Sequence, residues 1–377
     1  MRKGYDEVVL LTGFPSFRAR RMCEEIVLAK EGPRALVHAI VHEKLQADAA
    51  AALDALPLDA RKRVNIIEGD AAAMDLGLSG AEFRELAGEI DRIHHCVQVS
   101  YLGADAAVAE QVNVGAAREV LEIARACKSL QCLVVHSSAS VSGDRSGMVR
   151  EDDLDRGQRF RNPVESTLAN AERIYRRAMV SKKDPVPIAV LRPTIVVGDS
   201  RTGEVDRLEG PYLLILLMLA APPDFALPLP GRSDVPLNVV PIDFVTKAAL
   251  HIGRDPRAPG RTFHLVDPNP LPSQRVVELV AHAGGRRVSS NFLPANLTRA
   301  LLRAPGLERA LKSPRAFLDA MVVPVRYDHA AADELLHDTG ISCPPLESYI
   351  DKLVAHVKQW LEARDQRRDT DMHDPLA

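Results

Sequence analysis

Short runs of β-branched and aliphatic residues alternate along the chain with stretches whose apolar positions recur every three or four residues. The runs are 7–12, 35–41, 64–67, 93–99, 132–136 and 188–197. Each is predicted to be a strand buried on both faces, because its apolar character does not alternate. Between the first two, residues 17–30 place Ala19, Met22, Cys23, Ile26 and Val27 on one side. Arg18, Arg20, Arg21, Glu24 and Glu25 fall on the other, the pattern of an amphipathic helix. Residues 112–127 and 162–181 read the same way. Strand and helix in this rhythm predict an α/β, Rossmann-type doubly wound parallel sheet. Arg192-Pro193 interrupts the sixth run, so its end is expected to bend.

After Gly198 the rhythm changes. Residues 199–210 are polar and turn-rich, 211–221 form an apolar helix candidate, and a proline-rich loop runs to Gly231. A strand at 262–266 returns to the sheet. Residues 273–360 are expected to be mainly helical, with breaks at Pro294, Pro305, Pro314 and Pro344-Pro345. The organisation expected is a Rossmann domain over 1–200 with returns near 235–270. A smaller helical substrate lobe follows over 201–362, then a charged flexible tail over 363–377.

Composition narrows the class. Of 377 residues 46% are hydrophobic, enough for a large core in more than one lobe, and net charge is −3. That balance points neither to nucleic acid nor to disorder. The longest lipophilic run, 213–221, is about half a membrane span, and the first residues lack a signal peptide's apolar core. A cytoplasmic protein without a membrane span is expected. The five cysteines are scattered with no Cys-x-x-Cys, so neither a disulfide frame nor a zinc site is expected. His38 and His42, and the pair His94-His95, read as ordinary sheet histidines, and no metal site is assigned.

The stretch 162–172 reads as a helix start. Asn162 suits the N-cap, Pro163 the first helical position, and Glu165 can reach back as in a capping box. Val164 and Leu168 then share one face. Around it lie Leu11-Thr12-Gly13-Phe14-Pro15-Ser16-Phe17, Gly69-Asp70, Asn113-Val114-Gly115, Ser137 to Gly143 and Leu191-Arg192-Pro193-Thr194. Further on come Asp199 to Glu204, Asn238 to Asp243, Phe263-His264-Leu265 and Cys343-Pro344-Pro345. In this order the set resembles the extended short-chain dehydrogenase/reductases, in the thioester-reductase and fatty acyl-CoA reductase branch. The resemblance implies NADP(H) or NAD(H) as cofactor and a small acyl-type ligand. It also implies a homodimer formed through 112–127 and 162–181, and places 213–221 at the wall of the acyl-binding cleft.

The resemblance places Thr12, Gly13, Pro15, Ser16, Phe17 and Arg18 at the cofactor phosphates. Gly13 keeps the first glycine of the loop; Ser16 and Ala19 replace the other two. Ser16 is the costlier change, since its Cβ stands where phosphate comes closest and a positive φ there would be strained. Its hydroxyl can instead donate to phosphate. Arg18, Arg20 and Arg21 either add positive charge at the helix N-terminus or solvate an exposed face. His42 falls where the branch has arginine, which favours NADP(H). Asp70 matches the adenine contact and equally suits a turn cap. Asn113 and Pro193 complete the implied cofactor contacts.

The family's chemistry uses a hydroxyl to polarise the carbonyl, a tyrosine as proton donor and a lysine that lowers the tyrosine pKa. Ser138 matches the hydroxyl. The tyrosine and lysine positions hold Val164 and Leu168, which can neither donate nor carry charge. Tyr101, just past the fourth strand, is the one substitute donor worth testing. Tyr175 lies three turns beyond Val164, out of reach. Three readings follow. The first is a reductase-fold protein impaired in hydride transfer that binds a nucleotide, an acyl-type ligand or a protein partner. The second is an active NADP(H)-dependent oxidoreductase with a non-standard proton donor. The third is a ligand-free scaffold.

Overall fold

The computed structural model describes residues 4–101, 103–220, 235–286 and 324–373. The chain divides into two compact units. One comprises Met1–Thr194, Phe244–Val266 and Arg326–Ser342; the other comprises Ile195–Asp243, Asp267–Val325 and Cys343–Ala377. Eleven strands are assigned among the described residues. They are β1 (Glu7–Thr12), β2 (Ala35–Val41), β3 (Val64–Glu68), β4 (Arg92–His95), β5 (Cys132–His136) and β6 (Gly147–Val149), followed by β7 (Ile188–Pro193), β8 (Ile195–Val197), β9 (Val239–Pro241), β10 (Thr262–Leu265) and β11 (Val325–Tyr327).

Seven strands of the first unit form one sheet in the order β10-β7-β5-β4-β1-β2-β3. Every pairing is parallel, so all seven carboxyl ends lie along one edge. The order reverses between β1 and β4, the place where open α/β sheets take their ligands. Burial on both faces explains the unbroken apolar runs: Val8 to Leu11 and Leu133 to Val134 are 0% exposed. On one face, Leu10, Ile93 and Val135 pack with Leu86, Val120 and Tyr175 of helices Gly80–Glu89, Ala116–Ala126 and Pro163–Met179. Helix Phe17–Leu28 packs on β2. Helix Ile242–Arg254, from Phe244 onward, closes on the sheet at Gly253. A Cβ there would stand 2.7 Å from a Val134 methyl.

The expected bend falls as predicted. β7 ends at Pro193, and Ile195 starts a strand of another sheet, pairing parallel with β9. This second unit packs helices Tyr212–Ala220, Ser273–Gly284 and Ile350–His373 around Tyr212, Met218, Val277, Tyr349 and Val357. Its two motif stretches interlock. Asp199 Oδ1 accepts the Arg201 N–H at 2.8 Å. Ser200 donates to Asp243 from both N–H (2.9 Å) and hydroxyl (2.8 Å). The Tyr212 hydroxyl accepts the Gly198 N–H at 2.7 Å.

Several boundaries differ from the sequence reading. β4 stops at His95; the apolar residues that follow it leave the sheet as a loop. A π-helical turn, Glu110–Gly115, precedes helix Ala116–Ala126. The first unit ends at Thr194 and takes back 326–342, which the sequence pattern assigns to the helical lobe. There the Asp328 N–H donates to the Val149 carbonyl at 2.9 Å. Where a frayed tail is expected, helix Ile350–His373 continues through residues 365–373. The loop to Gly231 and the breaks at Pro294, Pro305 and Pro314 lie outside the described residues.

Candidate functional site

Thr12, Gly13, His42, Asp70, Ser138 and Pro193, all singled out in the sequence, lie at or just past the carboxyl ends of the sheet's strands. β1 ends at Thr12, whose hydroxyl and His95 Nδ1 are 2.8 Å apart in full burial. Gly13 follows at φ +88, and a Cβ on it would stand 3.0 Å from Cys96 C and Val97 N. Only glycine lets the loop lie this close to the end of β4. Pro15 is half-buried and Phe17 opens the helix, its ring 5.9 Å from the Arg20 guanidinium carbon. The strain expected at Ser16 does not arise. Ser16 has φ −55 and ψ 154, an ordinary N-cap conformation, and its N–H donates to Gly13 O at 2.9 Å. No side chain caps helix Phe17–Leu28.

Across the edge, His42 follows β2 and its Nδ1 accepts the Lys44 N–H at 3.2 Å. After β3, Asp70 Oδ1 accepts the Ala72 N–H at 2.9 Å, which is the turn-capping role. Pro193 closes β7 beside Leu265 of β10. Asn113 is buried and its amide is committed: Oδ1 accepts Val99 N–H (2.7 Å) and Nδ2 donates to Thr167 Oγ1 (2.9 Å). It ties the loop after β4 to helix Pro163–Met179.

That helix starts as its sequence requires. Asn162 Oδ1 accepts the Glu165 N–H at 3.0 Å, with Pro163 in the first turn. Glu165 reaches one residue further back than a capping box: it accepts the Arg161 backbone N–H at 2.9 Å and pairs with the Arg161 guanidinium. Val164 and Leu168 are 2% and 6% exposed. They pack with Val141, Leu154 and Ala169, and with Val99, Ala104 and Phe160. This face of the helix start is a closed apolar cluster. Tyr101 stands half-buried on the loop between Val99 and Ala104, two residues of that cluster.

The Ser137–Gly143 turn is held from behind. Glu172 of the same helix accepts from Ser137 Oγ (3.1 Å), from Arg192 Nε (3.0 Å) and Nη2 (2.5 Å), and from Arg176 Nε (2.9 Å). Burial alone would raise the Glu172 pKa; the two guanidiniums outweigh it and hold the carboxylate ionised. Ser138 itself is half-buried, and its Oγ accepts the Ser140 N–H at 3.2 Å, leaving its own O–H to donate. Sequence reasoning missed Tyr327. Its hydroxyl lies 3.3 Å from Ser142 Oγ and 3.5 Å from the Ala139 carbonyl, bracing the turn from 185 residues away. Burial raises its pKa.

Edge, loop and hydroxyl together define a dinucleotide-type α/β protein of the extended short-chain dehydrogenase/reductase fold. Residues 11–249 match the NAD-binding "Male sterility protein" family, and the chain belongs to it. It is 25% identical over 228 residues to a linear gramicidin synthase of Brevibacillus parabrevis. That match covers 59% of this chain and 4% of that protein. It is 28% identical over 279 residues to the nonribosomal peptide synthetase asaC of Aspergillus flavus, covering 70% of this chain and 26% of the relative. The chain thus spans a small part of these relatives' length. Among solved structures, the terminal R domain from the myxalamid PKS-NRPS pathway superposes with a TM-score of 0.75 at 22% identity, covering 93% and 90% of the two chains. UDP-glucuronic acid 4-epimerase from Bacillus cereus, in complex with NAD, gives 0.67 at 18% identity, covering 93% and 99%.

Proposed function

We propose that this chain is a reductase-type oxidoreductase that takes NADP(H) and an acyl thioester, and that helix Pro163–Met179 supplies no proton. Two local observations suit a dinucleotide: the cradle at Gly13, which a Cβ would fill, and the uncapped start of helix Phe17–Leu28. Thr12, Gly13, Ser16, Phe17 and Arg18 would hold its phosphates, with Asp70 and His42 toward the adenosine. The ribose that the family's lysine holds has no cationic partner at Leu168. When bound, a reduced nicotinamide supplies hydride.

The observation that carries the reading is Ser138, an available hydroxyl at the carboxyl edge, beside a face with no acid. Ser138 donates to the thioester carbonyl oxygen and stabilises the negative charge that develops there. When the carbonyl re-forms, the C–S bond breaks and sulfur keeps the electron pair. A thiol pKa of about 8.5 makes thiolate a competent leaving group that solvent can protonate. Reduction of an aldehyde or ketone instead leaves an alkoxide, which demands the missing donor. The likeness to the terminal R domain of a PKS-NRPS pathway supports this reading. Tyr101, on the loop that packs against Leu168, is the substitute donor to test.

A second reading, binding without turnover, is favoured by the closed packing of Val164 and Leu168. Titration with NADPH and NADH by calorimetry, followed by NADPH oxidation with an acyl thioester, separates the two. Micromolar NADPH binding with thioester-dependent oxidation supports the first. Binding with no oxidation leaves the second. Oxidation lost in Tyr101→Phe assigns the proton to that phenol.

A further inference from the structure

The chain returns to the first unit for the last time at 326–342, between two stretches that belong to the second. This strap is fastened at one buried carboxylate. Glu151, 7% exposed, accepts the Ala331 N–H on Oε2 at 2.7 Å and the Ala332 N–H on Oε1 at 3.2 Å. Its Oε1 also accepts the His264 N–H of β10 at 2.9 Å. One side chain thus joins the first turn of helix Ala330–Leu336 to the edge strand of the sheet. Just before that helix, the Asp328 carbonyl lies 2.6 Å from His264 Nδ1, and the Tyr327 ring stands edge-on to the His264 ring at 5.2 Å. These contacts aim Tyr327 at the turn after β5, where its hydroxyl meets Ser142 Oγ and the Ala139 carbonyl. Burial raises the Tyr327 pKa, so the phenol keeps its proton and donates. Ala139 directly follows Ser138, and the next residue, Ser140, gives its N–H to Ser138 Oγ.

We infer that Glu151 is a positioning residue for Ser138: it pins the strap 326–342, the strap sets the Tyr327 hydroxyl on the 139–142 turn, and the turn holds Ser138 in one orientation. The inference rests on the reading of Ser138 as the hydroxyl that meets the thioester carbonyl. The residue type fits the task. A carboxylate offers acceptors only, and its two oxygens serve three backbone donors. A glutamine there keeps one acceptor oxygen and turns N–H donors toward the N–H groups it must hold. A small displacement of a group that meets the reacting carbonyl costs rate without costing affinity. Packing alone gives the reverse signature, a lower melting temperature with turnover intact.

The test compares the full chain with Glu151→Gln, Tyr327→Phe and the double variant. It reads amide exchange at Ser140, kcat and KM for NADPH-dependent reduction of an acyl thioester, and melting temperature. Each single variant is expected to exchange the Ser140 amide faster and to lower kcat about ten- to a hundredfold at unchanged KM. Tyr327→Phe is expected to do so with the wild-type melting temperature. The double variant is expected to match Tyr327→Phe in kcat, because the carboxylate acts through the phenol. Additive losses in the double variant overturn the inference, as does wild-type kcat or wild-type Ser140 exchange in either single variant. Wild type without thioester turnover removes the thioester reading alone. Ser140 exchange then decides: faster in both single variants supports the positioning role, and unchanged in either overturns it. If Glu151→Gln does not fold, Glu151→Asp, which keeps the charge but withdraws both oxygens by one methylene, takes its place under the same expectations.

Discussion

Leu168 is 6% exposed among apolar neighbours, so its side chain contributes packing to the closed cluster at the helix start. Truncation leaves a cavity that the rigid helix cannot close. Leu168→Ala is expected to lose about 2 to 4 kcal/mol, read from urea midpoints. A change under about 0.5 kcal/mol would show the cluster to be loose and open to ligand. The aliphatic character of Val164 and Leu168 was legible in the sequence because the residues around them, Asn162, Ala171 and Glu172, fix the frame. Arg18 was not legible. Periodicity assigns it to a solvated face, and only the fold shows that it is half-buried with its Nη1 sealed from solvent. Tyr327 left no local signal either, since its partner Ser142 lies far away in sequence.

At the scale of the element, helix Pro163–Met179 is both capped and anchored. Asn162 satisfies its start, and Glu172 bolts it to β7 through Arg192. Glu172 and Arg192 are each 1% exposed, so removing one charge strands the other. Glu172→Gln is expected to lose about 3 to 5 kcal/mol and to loosen the Ser137–Gly143 turn, which the same carboxylate holds. Chemical denaturation together with amide exchange of residues 137–143 checks both effects. A stable variant with an unchanged turn would contradict the anchoring role. Helix and strands read well from sequence where both faces are buried: β1, β2 and β5 match the predicted runs to the residue. β4 was overestimated because Cys96, Val97 and Val99 keep the apolar character of a strand after the chain has left the sheet. β11 was missed because three residues with Arg326 in the middle carry no pattern.

For the whole first unit, the sheet's buried histidines set an acid limit. Burial, reinforced by the Arg92 and Arg254 charges, holds His94 at about 3; burial holds His95 at about 3. Burial, then the charges of His94, Arg18 and His95, puts His136 well below its usual value. Folded pKa values below the unfolded value of about 6.5 mean that the unfolded chain binds protons first as pH falls. Stability from these groups is fully present above about 6.5 and lost progressively below it, down toward 3. Each histidine removes about 1.2 kcal/mol between neutral pH and pH ~5.5, so three together lower stability by about 4 kcal/mol. Urea midpoints at the two pH values measure this, and equal midpoints would contradict it.

The central claim is that the fold retains reduction of a thioester while lacking the helix-borne donor that aldehyde reduction needs. The direct measurement is NADPH oxidation by the purified chain with an acyl thioester and, separately, with the corresponding aldehyde, with products identified by mass. The expected result is thioester-dependent oxidation that releases free thiol and stops at the aldehyde, with no turnover of the aldehyde itself. Alcohol as the product, or NADPH bound but never oxidised, would contradict it.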